Sequence, residues 1–188
     1  KLESYSLENL GSVYVYLGEY ERAITYLEKS LAISREIKDY QSEVISMGNL
    51  GAVYDLMGKH EQAIAYLEQS LGLMQIKNSI TRVKFIGILG IAYQCLGQYE
   101  QAITYLEDSL AISWEMKAHK EEAISLINIG NTYREWGQME RAIENYRDSF
   151  KFTNPQTMPA ECFKLGRSLG DIGFTQGDWY LALEGYEP

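Results

Sequence analysis

The side chains that most often carry out chemistry are sparse in this sequence of 188 residues. It contains two histidines, His60 and His119, and two cysteines, Cys95 and Cys162. A zinc site needs several nitrogen or sulfur ligands at close spacing, and a catalytic histidine needs a nucleophile and an orienting group beside it. The four residues lie far apart and share no such spacing. We therefore predict no metal, no cofactor and no catalytic residue, and we expect that the protein is not an enzyme.

Asparagine is a residue type whose spacing does suggest chemistry, because its amide both donates and accepts hydrogen bonds. Asn9, Asn49 and Asn128 each stand two residues before a glycine. Asparagine is a poor helix-interior residue, since its side chain competes for backbone hydrogen bonds. One interpretation is that these amides bind the N–H and C=O groups of an extended peptide. The other is that each amide bonds a neighbouring helix of the same chain.

These asparagines belong to a repeat with a period close to 40 residues, which is typical of stacked helical repeats. In five copies a pair of a large aliphatic residue and glycine is followed by a second glycine, an alanine and a large side chain at constant spacing. The pairs are Leu10-Gly11, Leu50-Gly51, Leu89-Gly90, Ile129-Gly130 and Leu169-Gly170. The second glycines are Gly18, Gly58, Gly97, Gly137 and Gly177, and the alanines are Ala23, Ala63, Ala102, Ala142 and Ala182.

Each copy predicts a helix, a tight turn and a second helix. The first glycine costs a helix about 1 kcal/mol relative to alanine, which indicates a close helix–helix approach. The second glycine is suited to end a helix in the left-handed conformation, and the alanine marks the helix crossing. First helices are predicted at 3–17, 40–57, 80–96, 119–136 and 159–176. Second helices are predicted at 20–37, 60–76, 99–117, 139–152 and 178–187.

This pattern resembles the tetratricopeptide repeat (TPR), in the variant with a longer period found in kinesin light chain and Pins-type adaptors. The closing small residue is serine in four copies, where the family usually has alanine. The resemblance implies an all-α fold, a right-handed α-solenoid of antiparallel helical hairpins. It also implies a single array over residues 1–188, with the fifth repeat degenerate or truncated. The repeats would cover 3–39, 40–78, 79–118, 119–157 and 158–188.

In TPR proteins the first helices line a concave groove that binds peptides. The resemblance therefore implies a groove here, at fixed offsets from the glycine of each aliphatic–glycine pair. The predicted groove residues are Tyr5, Glu8, Asn9, Ser12, Tyr16, Ile45, Asn49, Asp55, Lys84, Ile88, Ile91, Gln94, Asn128, Asn131, Arg134, Lys164, Arg167 and Asp171. The basic residues gather in the last copies, so a ligand with an acidic group at one end would fit.

Four residues outside this set have structural interpretations. His60 follows a turn glycine where other copies carry an aromatic residue or methionine, so we predict that it fills a packing position. His119 stands between inter-repeat lysines and is predicted to be solvated. Trp114, like Trp136, is predicted to fill the core or the space between helices.

The overall composition excludes two classes of partner. The net charge of −9 and the absence of a basic run argue against binding to nucleic acid. No window approaches about 18 consecutive apolar residues, so we predict no association with a membrane. Two cysteines without disulfide-type spacing are typical of a reducing compartment, and we expect a cytoplasmic protein.

The predicted function is that of a scaffold that binds a protein or an extended peptide in the groove. A self-assembly module, forming homo-oligomers through exposed array ends, is an alternative. Another is a peptide-sensing regulatory domain of a larger signalling protein. We expect a larger protein, because the sequence opens Lys1-Leu2-Glu3-Ser4 without an initiator methionine.

Overall fold

The structure is a computed structural model that describes residues 2–77, 79–153, 156 and 158–176. In these ranges every regular element is an α-helix, which confirms the predicted all-α helical-repeat fold. The helices are α1 (Leu2–Tyr16), α2 (Tyr20–Glu36), α3 (Tyr40–Leu56), α4 (His60–Leu73), α5 (Ile80–Cys95), α6 (Tyr99–Glu115), α7 (His119–Glu135), α8 (Met139–Phe150) and α9 (Pro159–Gln176). The second helix predicted at 178–187 lies outside the described residues.

The observed helices begin where the sequence predicts, within one residue, but several second helices end earlier. The largest difference is in α4, which was predicted to reach Ile76 and ends at Leu73. Met74 takes an extended conformation there (φ −74°, ψ 109°). Ser79 caps α5 by accepting a hydrogen bond from the backbone N–H of Arg82 at 3.2 Å, and residues 74–77 lie outside both helices.

The turn inside each hairpin depends on a glycine in the left-handed region. Gly18, Gly58, Gly97 and Gly137 have φ between 72° and 82°. In each turn the next backbone N–H donates to the carbonyl of a tyrosine five residues earlier, as Glu19 does to Tyr14 at 2.9 Å. These bonds satisfy the end of the first helix and reverse the chain.

In the first, second and fourth copies the first glycine allows the two helices of the hairpin to approach closely, as predicted. A Cβ atom built on Gly51 would lie 2.6 Å from Leu67 Cγ, and one on Gly130 would lie 2.5 Å from a ring carbon of Tyr146. The four described alanines of the repeat are fully buried. A side chain in place of these glycines, or a larger one in place of these alanines, would therefore separate the helices.

The chain forms two compact units, Lys1–Gln98 and Tyr99–Pro188. The first unit contains α1–α5, and one of its core clusters brings Leu27 and Leu31 of α2 against Leu50 and Val53 of α3. The second unit contains α6–α9, and its core surrounds Tyr146. The third predicted hairpin contributes α5 to the first unit and α6 to the second.

Candidate peptide-binding surface

The three recurring asparagines lie on first helices, at equivalent positions of α1, α3 and α7. Asn9 is exposed, and Asn49 and Asn128 are half-buried. In the part of the chain that the structure describes, none of the three amides bonds a neighbouring helix. The backbone carbonyl of Asn128, and not its side-chain amide, accepts a hydrogen bond from the Thr132 hydroxyl at 2.8 Å. The three amides therefore retain their donors and acceptors for an external group.

Apolar side chains accompany two of these asparagines in the first unit. Ile45 on α3 and Ile88 and Ile91 on α5 are half-buried, while Tyr5 and Tyr16 on α1 are exposed. Because these side chains are partly or largely exposed, they can bury apolar area against a ligand without a change in the packing of the helices. Two polar residues of the predicted groove, Ser12 on α1 and Lys84 on α5, are also exposed.

Ile45 also lines a cavity of about 370 Å³ that sequence analysis did not predict. The cavity lies between the start of α3 and the loop that follows α4, with Tyr40, Leu73, Met74 and Ile76 among its walls. Met74 and Ile76 of its walls belong to the segment after Leu73 that was predicted to be helical and is not.

Asp55, a predicted groove residue, is bound to His60 across the turn of the second hairpin. Its carboxylate lies 2.9 Å from His60 Nδ1, and both side chains are half-buried. His60 therefore packs at the turn, as predicted, and also orients Asp55.

Glu8 was predicted to face the groove, but it is buried between three helices. Its Oε1 accepts hydrogen bonds from Ser46 of α3 at 2.9 Å and from Ser30 of α2 at 3.2 Å. Ser30 also donates to the Ser4 carbonyl at 3.0 Å. Burial raises the pKa of the Glu8 carboxyl, the two serine hydrogen bonds partly oppose the increase, and the charge of Asp39 adds to it. Glu8 thus connects neighbouring hairpins, and we do not include it in the proposed ligand contacts.

Replacing Glu8 by glutamine is expected to stabilise the protein at neutral pH. Both serines donate to one oxygen, so the amide oxygen keeps their bonds while the buried charge is removed. The pKa of Glu8 is raised on folding. The favourable contribution of Glu8 to the free energy of unfolding is therefore complete below the unfolded pKa of about 4.5, and it is lost as the pH rises through the folded pKa. The gain in melting temperature from Glu8→Gln should therefore be absent at pH 4 and grow toward pH 7. Glu3→Gln, at an exposed position of the same helix, is the control, and a gain independent of pH in Glu8→Gln would contradict the expectation.

Two further predicted residues are also engaged inside the protein. Gln94 is buried in α5. Asn131 is half-buried in α7, and its Oδ1 accepts a hydrogen bond from the Tyr146 hydroxyl at 2.7 Å. The pKa of Tyr146 is raised, mainly by burial. Its hydroxyl therefore remains protonated and can donate this bond. Asn131 differs in this respect from the three recurring asparagines.

The second unit holds three of the four predicted basic residues, and the fourth, Lys84, lies in the first unit. Arg134 is half-buried, and its Nη1 donates to Ser168 Oγ at 3.4 Å. Arg167 and Asp171 are both exposed and form a loose ion pair at 3.7 Å, and Lys164 is exposed. An exposed ion pair contributes at most about 1 kcal/mol, so Arg167 can exchange Asp171 for an external carboxylate.

Sequence analysis did not predict the role of the repeated serines. The pattern required only that they be small, whereas the hydroxyls of Ser30, Ser70 and Ser109 also form hydrogen bonds between helices. The hydroxyl of Ser149 instead donates to the Tyr146 carbonyl within α8. Ser70 donates to the Val44 carbonyl at 2.7 Å, in the same way as Ser30 does to Ser4. The signal was present, because serine replaces alanine at this position in four copies.

The described residues contain no group of three or more His, Cys, Asp or Glu side chains that could hold a metal ion. Over the same ranges, no helix combines the length and hydrophobicity that crossing a membrane requires.

Hairpins closed by left-handed glycines and packed through buried alanines define a helical-repeat protein. The family model of the tetratricopeptide repeat matches residues 2–76 and 85–153, which is more than half of the chain. The chain therefore belongs to the tetratricopeptide repeat family, as its sequence pattern indicated. No curated protein sequence matches it.

Solved structures share the fold at low sequence identity. BtubC (BKLC) from P. vanneervenii is 18% identical, with a TM-score of 0.83 over 96% of this chain and 75% of that one. The TPR-like repeats of a putative kinesin light chain from Podosopora anserina are 23% identical, with a TM-score of 0.76 over 96% and 92%. The Rap conjugation gene regulator of plasmid pLS20, solved in complex with the Phr* peptide, is 17% identical, with a TM-score of 0.74. The match covers 97% of this chain but only 52% of the Rap regulator.

Proposed function

We propose that this chain is a protein-interaction scaffold that binds an extended peptide segment through its first helices. The observation that carries the proposal is the state of Asn9, Asn49 and Asn128, whose amides occupy equivalent helix positions without a partner on a neighbouring described helix. Asparagine inside a helix lowers helix stability, so its recurrence needs a compensating role. Hydrogen bonding to the backbone of a bound peptide provides that role and does not depend on the peptide's sequence.

The remaining exposed side chains favour a ligand of mixed character. In the first unit the asparagines are accompanied by isoleucines and tyrosines, which suit apolar side chains of a ligand. In the second unit Arg134, Lys164 and Arg167 suit an acidic group. The complex of the Rap regulator with the Phr* peptide is a precedent for peptide binding by a protein of similar fold, and it favours a peptide-sensing regulatory module as one form of this function.

A capture experiment tests the asparagines directly. The chain and its Asn9→Ala, Asn49→Ala, Asn128→Ala triple variant are immobilised, and the proteins retained from a lysate of the source organism are quantified. Each lost hydrogen bond is worth about 0.5–1.5 kcal/mol, so the triple variant should bind a captured partner at least about tenfold more weakly. The affinity is then measured by calorimetry with the purified partner.

Asn145→Ala is the matched control, since Asn145 lies on α8 and its amide donates to the Arg141 carbonyl of the same helix at 2.9 Å. This variant should bind as the unmodified chain does. Equal binding by all three proteins would remove the asparagines from the mechanism.

Self-association is a second candidate function, and the exposed face of α1 favours it. Leu10 and Val13 are exposed on α1, and Leu17 is exposed directly after it. Leu50 and Val53, at the positions in α3 equivalent to Leu10 and Val13, are instead buried against α2. An apolar face of this kind is suited to pair with a helix of another molecule.

Light scattering against concentration tests self-association. If α1 pairs between molecules, the mass should rise with concentration, and Val13→Lys should return it to that of the monomer. Tyr16→Lys changes a more exposed α1 residue outside this face and should leave the mass unchanged. A constant monomeric mass would exclude self-association and leave the peptide scaffold.

A further inference from the structure

The connection between α6 and α7 in the second unit reproduces the connection between α2 and α3 in the first. Lys38 and Lys117, 79 residues apart, adopt the same left-handed conformation, with φ of 55° and 54°. The buried Ser34 and Ser113, also 79 residues apart, each donate to the carbonyl four residues earlier at 2.8 Å. Residues separated by 79 positions therefore occupy equivalent places in the two connections.

The equivalence breaks down at one ion pair. In the first unit Arg35 Nε donates to Glu43 Oε1 at 2.9 Å, and its Nη2 lies 3.7 Å from the sulfur of Met47. In the second unit the carboxylate is kept, because Glu122 stands at the place of Glu43. The guanidinium is lost, because Trp114 stands at the place of Arg35.

Glu122 is consequently a buried carboxylate without a permanent cation. Its side chain is only 2% exposed, and Oε1 has no hydrogen-bond partner in the described part of the chain. Its Oε2 lies 3.4 Å from Nδ1 of His119, whose side chain is 68% exposed and carries a charge only when protonated. A buried carboxylate that lacks a cation or a full set of hydrogen bonds is strongly unfavourable, so its presence calls for an explanation.

A cavity of about 400 Å³ lies beside Glu122. Its apolar walls include Trp114 and Phe152, and its other acidic residues are Glu107 and Asp148. The only basic residue that lines it, Lys151, is bound to Asp148 at 2.6 Å. Trp114 was predicted to fill the core, but it is 74% exposed, so the cavity is accessible from solvent. Negative charge between aromatic surfaces is suited to a cation that has flat or apolar surfaces.

We propose that this cavity binds the guanidinium group of an arginine side chain from a partner polypeptide, which takes the place that Arg35 occupies in the first unit. Arginine fits better than lysine, since a guanidinium stacks on aromatic rings and forms bidentate bonds with carboxylates. A polypeptide fits better than a free small cation, because an exposed tryptophan beside a buried polar group is typical of protein interfaces. The site lies between α6, α7 and the end of α8, and it is separate from the predicted groove residues.

The probe is the peptide acetyl-Gly-Arg-Gly-amide, titrated into the full chain labelled with 5-fluorotryptophan. Fluorine NMR should show a saturable shift of the Trp114 signal, which Trp114→Phe identifies, with a dissociation constant of about 1 mM for one side chain. The citrulline peptide, which has the same shape but no charge, should cause no saturable shift. Methylguanidinium should bind at least about fivefold more weakly, and equal binding would overturn the assignment to a polypeptide.

Two variants test the role of Glu122, with affinity measured by ligand-observed NMR. Glu122→Gln should weaken binding of the arginine peptide at least about tenfold and leave the melting temperature equal or higher, since an unpaired buried charge is removed. Glu43→Gln, at the equivalent position in the first unit, should not change the affinity. A purely structural Glu122 would give the opposite result for Glu122→Gln, a lower melting temperature with unchanged affinity, which would overturn the proposal.

Trp114→Arg restores within the chain the guanidinium that Arg35 supplies to Glu43. This variant should raise the melting temperature and abolish binding of the arginine peptide, because the site is then occupied internally. It also keeps the proposal falsifiable if Glu122→Gln does not fold. Binding that persists in Trp114→Arg with unchanged affinity would show that the cavity beside Glu122 is not the arginine site.

Discussion

Replacing Tyr146 by alanine is expected to lower the free energy of unfolding by about 3–5 kcal/mol, because it removes a fully buried aromatic ring. The ring belongs to the core of the second unit, together with Leu106, Ile129 and Leu165. It also fills the space left by the absent side chain of Gly130, so no neighbouring residue can close the cavity without a helix shift.

Tyr146→Phe separates the ring from its hydroxyl. This variant keeps the packing and loses the hydroxyl, which donates to Asn131 Oδ1 and also bonds Ser168, so it should lose about 0.5–1.5 kcal/mol for each bond. Hydrogen exchange resolved along the chain is the appropriate measurement, because it assigns a loss of stability to particular helices. Faster exchange should appear in α7 and α8 of Tyr146→Ala. Equal losses for the two variants would assign the stabilisation to the hydroxyl instead of the ring.

The repeat pattern predicted the helices well because it records constraints that act in every copy. A turn glycine with positive φ and an alanine at a helix crossing admit few substitutes, so they recur and can be recognised in one sequence. The early end of α4 could not be predicted in this way. It depends on Gly72 near the helix end and on the cap that Ser79 gives to α5, and both occur in one copy only.

The predicted site residues followed from the resemblance to the tetratricopeptide repeat, which gives offsets along each first helix but does not predict the surroundings of each residue. Offsets along a helix predict which face a residue occupies, but they do not tell whether a neighbouring helix supplies a partner. Glu8 and Asn9 are adjacent in the sequence, yet Glu8 is bonded to two serines of other helices and Asn9 is exposed without a bond to any of them. The difference depends on Ser30 and Ser46, which lie 22 and 38 residues away from Glu8.

Trp114 shows the same limit for residues outside the repeated set. Its type suggested a core position, but the equivalent residue in the first unit is the exposed Arg35, and the position faces solvent in both. Comparison between copies was therefore more informative than residue type. The same comparison revealed that Glu122 lacks the cation that Glu43 has.

Gly48 provides the second large effect that we expect from a single substitution. It is buried in α3, and the ring of the buried Phe85 from α5 occupies the space where a side chain would begin. A Cβ atom built on Gly48 would overlap three ring carbons of Phe85. Alanine raises helix propensity by about 1 kcal/mol, but overpacking in a buried contact costs about 1–3 kcal/mol and displaces α5. Gly48→Ala should therefore lower the melting temperature of the protein.

Gly72→Ala is the matched control, since a Cβ atom there meets no other atom within 4 Å. This variant should be neutral or stabilising, which is the opposite sign for the same chemical change.

Phe85→Leu removes the atoms that alanine would meet, so the double variant Gly48→Ala, Phe85→Leu should be more stable than the sum of the single effects by at least about 1 kcal/mol. Urea denaturation of the unmodified chain, Gly48→Ala, Phe85→Leu and the double variant measures this coupling. Additive effects would mean that Gly48 is present for a reason other than the approach of Phe85.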